Sequence, residues 1–369
     1  MTAFTFQLFF IVDALFSRMN LQGGWDNAND VRIPIYLNEQ DGETGTGGTH
    51  TYGLTAVNGL KCSLAVVIAF MSIGGRSGPV EAILCSIIGT ICFEVNRQTQ
   101  TLYAQVTGCS NYVFTFGGFM GGMLSILLVK CKQADIIRDH RAYKSGKINI
   151  TMSLFGSGLI FVFFPLLSMD VPLSLFIFSN AAIATYFSMA CTVMSVIAFD
   201  LIIEGRLSFR DIIMAPIAGG VIVSSASVYI YNPLQSLVLG FVSGLVLFIL
   251  NRFEKHIGNE PHTSNAVFTL FGIQGIMGSW ASAIMRAINR TAETWGDAYA
   301  NLPAKYVYEQ DGEVAAAFVS AGIGLLTGLI TFAVVYAVSA EHRSGAYQDR
   351  TYWILESDGI SERKQVKPE

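Results

Sequence analysis

The sequence predicts an all-α polytopic membrane protein of about ten transmembrane helices, folded as an inverted-repeat bundle. Three observations predict it. Of the 369 residues, 52% are apolar and only 14% charged, with a mean hydropathy of +0.48; a soluble chain would carry about 25% charge. The apolar residues fall in long blocks, as spanning helices require. Two blocks echo each other half a chain apart: Asn111–Ser125 reads NYVFTFGGFMGGMLS and Ala266–Ser279 reads AVFTLFGIQGIMGS. Both place small residues every three or four positions, the pattern that lets helices meet closely inside a membrane. Both carry a phenylalanine, Phe114 or Phe271, where the run turns glycine-rich. Such a pair suggests an internal repeat packed face to face.

Taken in order, the spans run over 3–18, 55–74, 78–100, 108–130, 148–168, 174–203, 211–230, 234–251, 265–286 and 313–338. The first is short and contains Asp13. Residues 1–340 form one transmembrane domain. A polar outer loop over 20–53, rich in Gly, Asn, Asp and Thr, interrupts it, and a polar tail over 341–369 ends the chain. Ten spans put 16 of the 23 Lys and Arg on one side and six on the other, with Lys61 inside a span. The basic-rich side is cytoplasmic or matrix-like, and both termini lie there. An organelle's energy-transducing inner membrane is one setting for such a chain. The loop over 130–147 is a topology determinant or a contact for anionic lipid. Of two glycosylation sequons, Asn149-Ile-Thr falls at an inner helix end and Asn289-Arg-Thr on the outer side.

Several chemistries find no support. No Rossmann glycine pattern, Walker A loop, nucleophile elbow or HExxH motif occurs, so no enzyme, cofactor or metal is expected. The six cysteines lie in or beside apolar segments without CxxC spacing, which argues against a disulfide framework or a zinc site. All five histidines map to loops or helix ends, so no histidine relay crosses the membrane. The basic residues track topology and form no nucleic-acid patch.

A family resemblance then emerges from short motifs in one order. Asn58–Cys62 with Phe70 and Gly75-Arg-Ser-Gly-Pro79, Phe93-Glu-Val-Asn96, and Gly108-Cys-Ser110 with Thr115-Phe-Gly match in turn. Next come Thr185-Tyr-Phe-Ser-Met-Ala-Cys, Ala218-Gly-Gly-Val, Gly272-Ile-Gln-Gly-Ile-Met-Gly and the tail Gln348-Asp-Arg-Thr-Tyr-Trp353. Together they resemble the Rh glycoprotein branch of the ammonium transporter superfamily over nearly the whole chain. Phe4–Trp25 resembles that family's second core helix, so the chain is expected to lack the helices that precede it. The first half of the repeat then holds four helices against five in the second. The resemblance implies a homotrimer whose protomers each carry an ammonia pore. Such a pore has two gating phenylalanines, an aspartate and two mid-membrane histidines.

Carried over position by position, those residues are absent. The first gate falls on Lys61 and the second on Leu167. The aspartate falls on Val106, and the two histidines fall on Phe114 and Phe271. Phenyl rings offer no hydrogen-bonding atom in the ring plane, and a charged Lys61 would repel ammonium. Desolvating that ion needs a carboxylate and hydrogen-bond acceptors. The expected function is therefore a pore-degenerate, non-conducting structural subunit of a larger membrane assembly. Its partners are lipids and other membrane subunits that fill the slot of the absent helices; the family homotrimer remains an alternative. Another alternative is an active channel for ammonia, carbon dioxide or another small neutral solute. Phe114 and Phe271 read most simply as core packing, with gating as the other reading. Lys61 either pairs inside a wet vestibule or binds a lipid phosphate or a partner carboxylate. Asp13 either pairs with Lys61 across the first two helices or faces a partner or the interface.

Overall fold

The computed structural model describes residues 1–20, 24–25, 49–74, 77–100, 109–127, 147–168, 175–230, 232–257, 266–290 and 311–339. These residues form ten helices in the expected order. They are α1 Thr2–Arg18, α2 Thr49–Met71, α3 Pro79–Thr99, α4 over 110–127, α5 Lys147–Ser168, α6 Leu175–Phe199, α7 Phe209–Val223, α8 Pro233–Ile257, α9 over 268–290 and α10 Asp311–Ser339. Helices α4 and α9 each begin with a π turn, Ser110–Thr115 and Phe268–Ile273, and a third π turn, Asp200–Glu204, ends α6. A two-residue antiparallel ladder, β1 Met19–Asn20 with β2 Gly24–Trp25, comes after α1. Among the described residues, five helices are long and apolar enough to cross a membrane, and Thr2–Asp13, Ala56–Met71 and Thr151–Leu167 are shorter apolar helices.

The start of α3 shows how the sequence sets a boundary. Gly78 is extended, Pro79 opens the helix, and the Glu81 carboxylate accepts from the Gly78 N–H at 2.9 Å. Pro fits the first helical turn, where its missing N–H would have had no partner, and an acid there complements the helix dipole.

The helices form two matching sets. Helices α1, α2 and α3 contact one another, as do α6, α7 and α8, while α4 packs on α9 between the sets. Lipid tails are as apolar as the side chains, so close packing and interhelical hydrogen bonds hold such helices together. In the second set glycines permit that approach. A Cβ on Gly240 would lie 2.4 Å from the Ser188 carbonyl oxygen. Thr192 donates to the Gly240 carbonyl at 2.9 Å, and Ser188 donates to that of Gly219 at 2.9 Å.

The α4–α9 contact carries the symmetry. Shifting by 157 residues (271 less 114) maps Phe114 to Phe271, Gly118 to Gly275 and Gly122 to Ser279. Gly118 sits on the Gly272 backbone, and Gly275 sits on that of Thr115. Gly122 meets Phe268, and Ser279 hydrogen-bonds Asn111. Each contact thus occurs twice with partners exchanged, the mark of a two-fold axis between the helices. Helix α5 packs on α6 and α7 and has no counterpart in the first set among the described residues. Helix α10 closes the bundle against α3, α4 and α9.

Candidate functional site at the repeat axis

The π turns aim Phe114 and Phe271 toward each other. Their rings stack at 6.0 Å between centroids, 19° from parallel. Phe164 of α5 stacks on the other face of Phe114 at 5.7 Å and 13°. Three near-parallel rings therefore run from α5 through α4 to α9. Phe114 is 1% exposed and Phe271 8%. Offset stacking at these separations is favourable beyond the area buried. Phe164 was not singled out by the sequence. Its signal was available in Gly220 of the Ala218-Gly-Gly-Val motif, where an added Cβ would meet the Phe164 ring at 2.5 Å. The glycine makes room for the ring.

Lys61 of α2 also points into the interior of the bundle. It is 3% exposed, and its Nζ donates to the Tyr112 hydroxyl at 2.9 Å. The Cys109 Sγ lies 3.9 Å from that hydroxyl and donates to the Leu167 carbonyl at 3.6 Å. The structure thus brings four of the expected positions to one region: Lys61 and Leu167 through Tyr112 and Cys109, and Phe114 beside Phe271. The Leu167 side chain itself is 38% exposed, so this position contributes its backbone. Val106 lies outside the described residues.

Asp13 pairs with Arg97 rather than with Lys61, the pairing with Lys61 being one of its two readings. Asp13 Oδ1 lies 2.7 Å from Arg97 Nη2. Helix register is the cause. Ser63 donates to the Thr2 carbonyl, and Gly59 faces the rings of Phe6 and Phe9. Lys61 therefore stands opposite the first turns of α1, about 12 Å along the axis from Asp13 at 1.5 Å per residue. Arg97, near the end of α3, lies at the right height. It also binds Glu94 through two hydrogen bonds, 2.6 and 2.8 Å, and covers the Phe9 ring. Gln98 donates to the same Glu94 carboxylate at 2.9 Å. Glu94 is fully buried, and Arg97 supplies the opposite charge beside it. Arg97→Met is expected to lower stability by about 3–5 kcal/mol, the cost of stranding a buried charge. The melting temperature of the purified protein in mild detergent measures it, and a change within the error of the wild type would contradict this role.

Hydroxyls and amides bind the remaining interior. Ser110 donates to the Val221 carbonyl at 3.0 Å, and its backbone N–H donates to Ser225 at 3.1 Å. Asn96, from the Phe93-Glu-Val-Asn96 motif, donates to Ser320 of α10 at 3.0 Å. Arg286 pairs with Glu313 across α9 and α10 and covers the Tyr229 ring at 4.3 Å. No group of three or more metal-binding side chains occurs among the described residues.

The profile of the Ammonium Transporter Family matches residues 78–347. The chain belongs to this family. It is 25% identical over 343 residues to the ammonium transporter Rh type B of Mus musculus, covering 87% of this chain and 73% of that one. The Rattus norvegicus relative is 26% identical over 333 residues, covering 85% and 71%. Among solved structures the Rh50 protein of Nitrosomonas europaea superposes with a TM-score of 0.64 at 18% identity, covering 85% of this chain and 78% of that one. Mep2 of Candida albicans superposes at 0.57 and 13% identity, covering 85% and 71%. The relatives place this ammonium-transporter-family chain in the Rh branch. It is an integral, multi-pass membrane protein, and its relatives are named as transporters and channels.

Proposed function

We propose that this family member does not conduct ammonium and serves as a structural subunit of a larger membrane assembly. The single observation that supports this is the Phe164–Phe114–Phe271 stack, which fills the repeat axis with closely packed rings. Lys61 adds a buried basic side chain at the position where the family resemblance puts a gate. Both work against a cation, which must exchange its water for polar lining. The packing residues of the fold are meanwhile present throughout. The partner subunit contacts the outward faces of α1 and α2, where Phe4, Ile11, Leu60 and Met71 are exposed. Among the described residues no helix takes the place there that α5 holds on α6 and α7. Ten helices leave both termini on one side, the basic-rich cytoplasmic or matrix-like side.

Stopped-flow measurement on proteoliposomes tests the closed axis. Ammonia and carbon dioxide fluxes are expected at the level of bare lipid, for the wild type and for Lys61→Met. Flux above lipid that is abolished by substituting Phe114 or Phe271 would overturn the reading. Carbon dioxide alone passing would favour the gas channel, which the wholly apolar ring stack would suit. Native electrophoresis in mild detergent tests the assembly: migration far above a trimer is expected, and a clean homotrimer would contradict it.

A further inference from the structure

We propose that Asn111 holds a water-sized neutral molecule, one able to donate and accept a hydrogen bond, in a buried polar site between α3, α4, α9 and α10. The side chain is 0% exposed. Its Oδ1 is hydrogen-bonded to the Ser279 hydroxyl, and its Nδ2 has no partner among the described residues. Turning the amide over does not complete its bonding. Ser279 has one proton and also faces the Gly275 carbonyl at 3.1 Å. If that proton goes to Asn111, the amide nitrogen is left over. If it goes to Gly275, the amide must donate to the Ser279 oxygen, and its own oxygen is left over. Either way one polar atom at the centre of the bundle lacks a partner among the described protein groups. Buried amide atoms are almost always satisfied, and a buried water with polar neighbours is the usual means.

Further polar groups line up beside Asn111. The Ser320 hydroxyl donates to the Asn111 backbone carbonyl at 2.8 Å and accepts from Asn96 at 3.0 Å. Gln100 donates to the Ala316 carbonyl at 2.9 Å and leaves its own Oε1 buried without a partner among the described residues. Asn111, Ser320, Asn96 and Gln100 thus form a polar line from the π turn of α4 to the end of α3. Its two ends carry the two unsatisfied amides. The line lies on the α10 side of α4, whereas Phe114 stacks toward α5. It therefore stands whether or not the aromatic axis conducts.

Water and ammonia both fit this chemistry, and one set of measurements separates them. A high-resolution cryo-electron microscopy map of the full chain is expected to show a density peak within hydrogen-bond distance of the Asn111 amide. The peak is expected to be lost in Asn111→Leu. Ammonium chloride at alkaline pH, compared with sodium chloride, identifies the occupant: a rise in melting temperature that Asn111→Leu lacks means ammonia, and no rise means water. A wild-type map without the peak, or with the amide turned to a protein partner, would overturn the site. That map decides even where Asn111→Leu fails to fold.

Discussion

Phe114→Ala is expected to destabilise the protein by about 3–5 kcal/mol, the usual range for truncating a buried aromatic ring. The upper part of that range applies here. The ring is fully enclosed and touches an aromatic face on each side, Phe164 and Phe271. Its ring neighbours come from two other helices, α5 and α9, that further contacts hold in place, so they cannot collapse into the gap. Phe114→Leu keeps most of the volume and is expected to lose less than half as much. Equilibrium unfolding in mixed detergent micelles separates the two variants. Equal losses would contradict volume filling as the ring's contribution. The result also bears on transport. If the stack only fills space, the alanine variant loses stability while ammonia flux stays at the lipid baseline.

Gly118→Ala is expected to be the most damaging single-methyl change in the bundle. The added Cβ would fall 2.2 Å from the Gly272 nitrogen, 2.6 Å from its Cα and 2.8 Å from the Phe271 carbonyl carbon. All three are backbone atoms, so no rotamer change can relieve them, and α4 must move off α9. Overpacking a core costs about 1–3 kcal/mol and occasionally more; a backbone obstacle on a symmetry axis belongs at the top of that range. Two controls give the comparison meaning. Gly272→Ala would meet the Phe119 ring at 3.3 Å, a side chain that can yield. Gly156→Ala meets nothing within 4 Å and is expected to gain about 0.5–1 kcal/mol from helix propensity. Folded yield and melting temperature should fall in the order Gly156→Ala, Gly272→Ala, Gly118→Ala. A Gly118→Ala variant with wild-type melting would contradict the close approach.

The spans and the repeat were legible because membrane helices advertise themselves by hydropathy and by small-residue spacing. The pairing of Phe114 with Phe271 was legible because the repeat maps one onto the other. What depended on helix register was not. Asp13 and Lys61 are charged residues of opposite sign on neighbouring helices, yet the antiparallel offset separates them and gives Asp13 to Arg97. Phe164 escaped notice for a related reason. Nothing local to α5 says that its ring reaches the axis; only Gly220 on α7 does. The unsatisfied Asn111 amide was equally hidden, since a sequence shows polar residues but not how many protons their neighbours have to offer.

The π turns at the start of α4 and α9 turn chain length into a constraint of its own. A π turn arises where a helix accommodates one more residue than an α turn. Dropping one residue from Ser110–Thr115 would restore ordinary helical winding and rotate the start of α4 by about 100° relative to the remainder of the helix. Gly117 and Gly121 would keep their seats on Ala65 and Ala69, but Asn111 and Ser110 would swing away from Ser279 and Ser225. The same holds, with partners exchanged, for Phe268–Ile273. Substitution and deletion are thus unequal events in these two hexapeptides. A new side chain at the axis changes what the centre of the bundle can accept, whereas a lost residue dismantles the match between the halves.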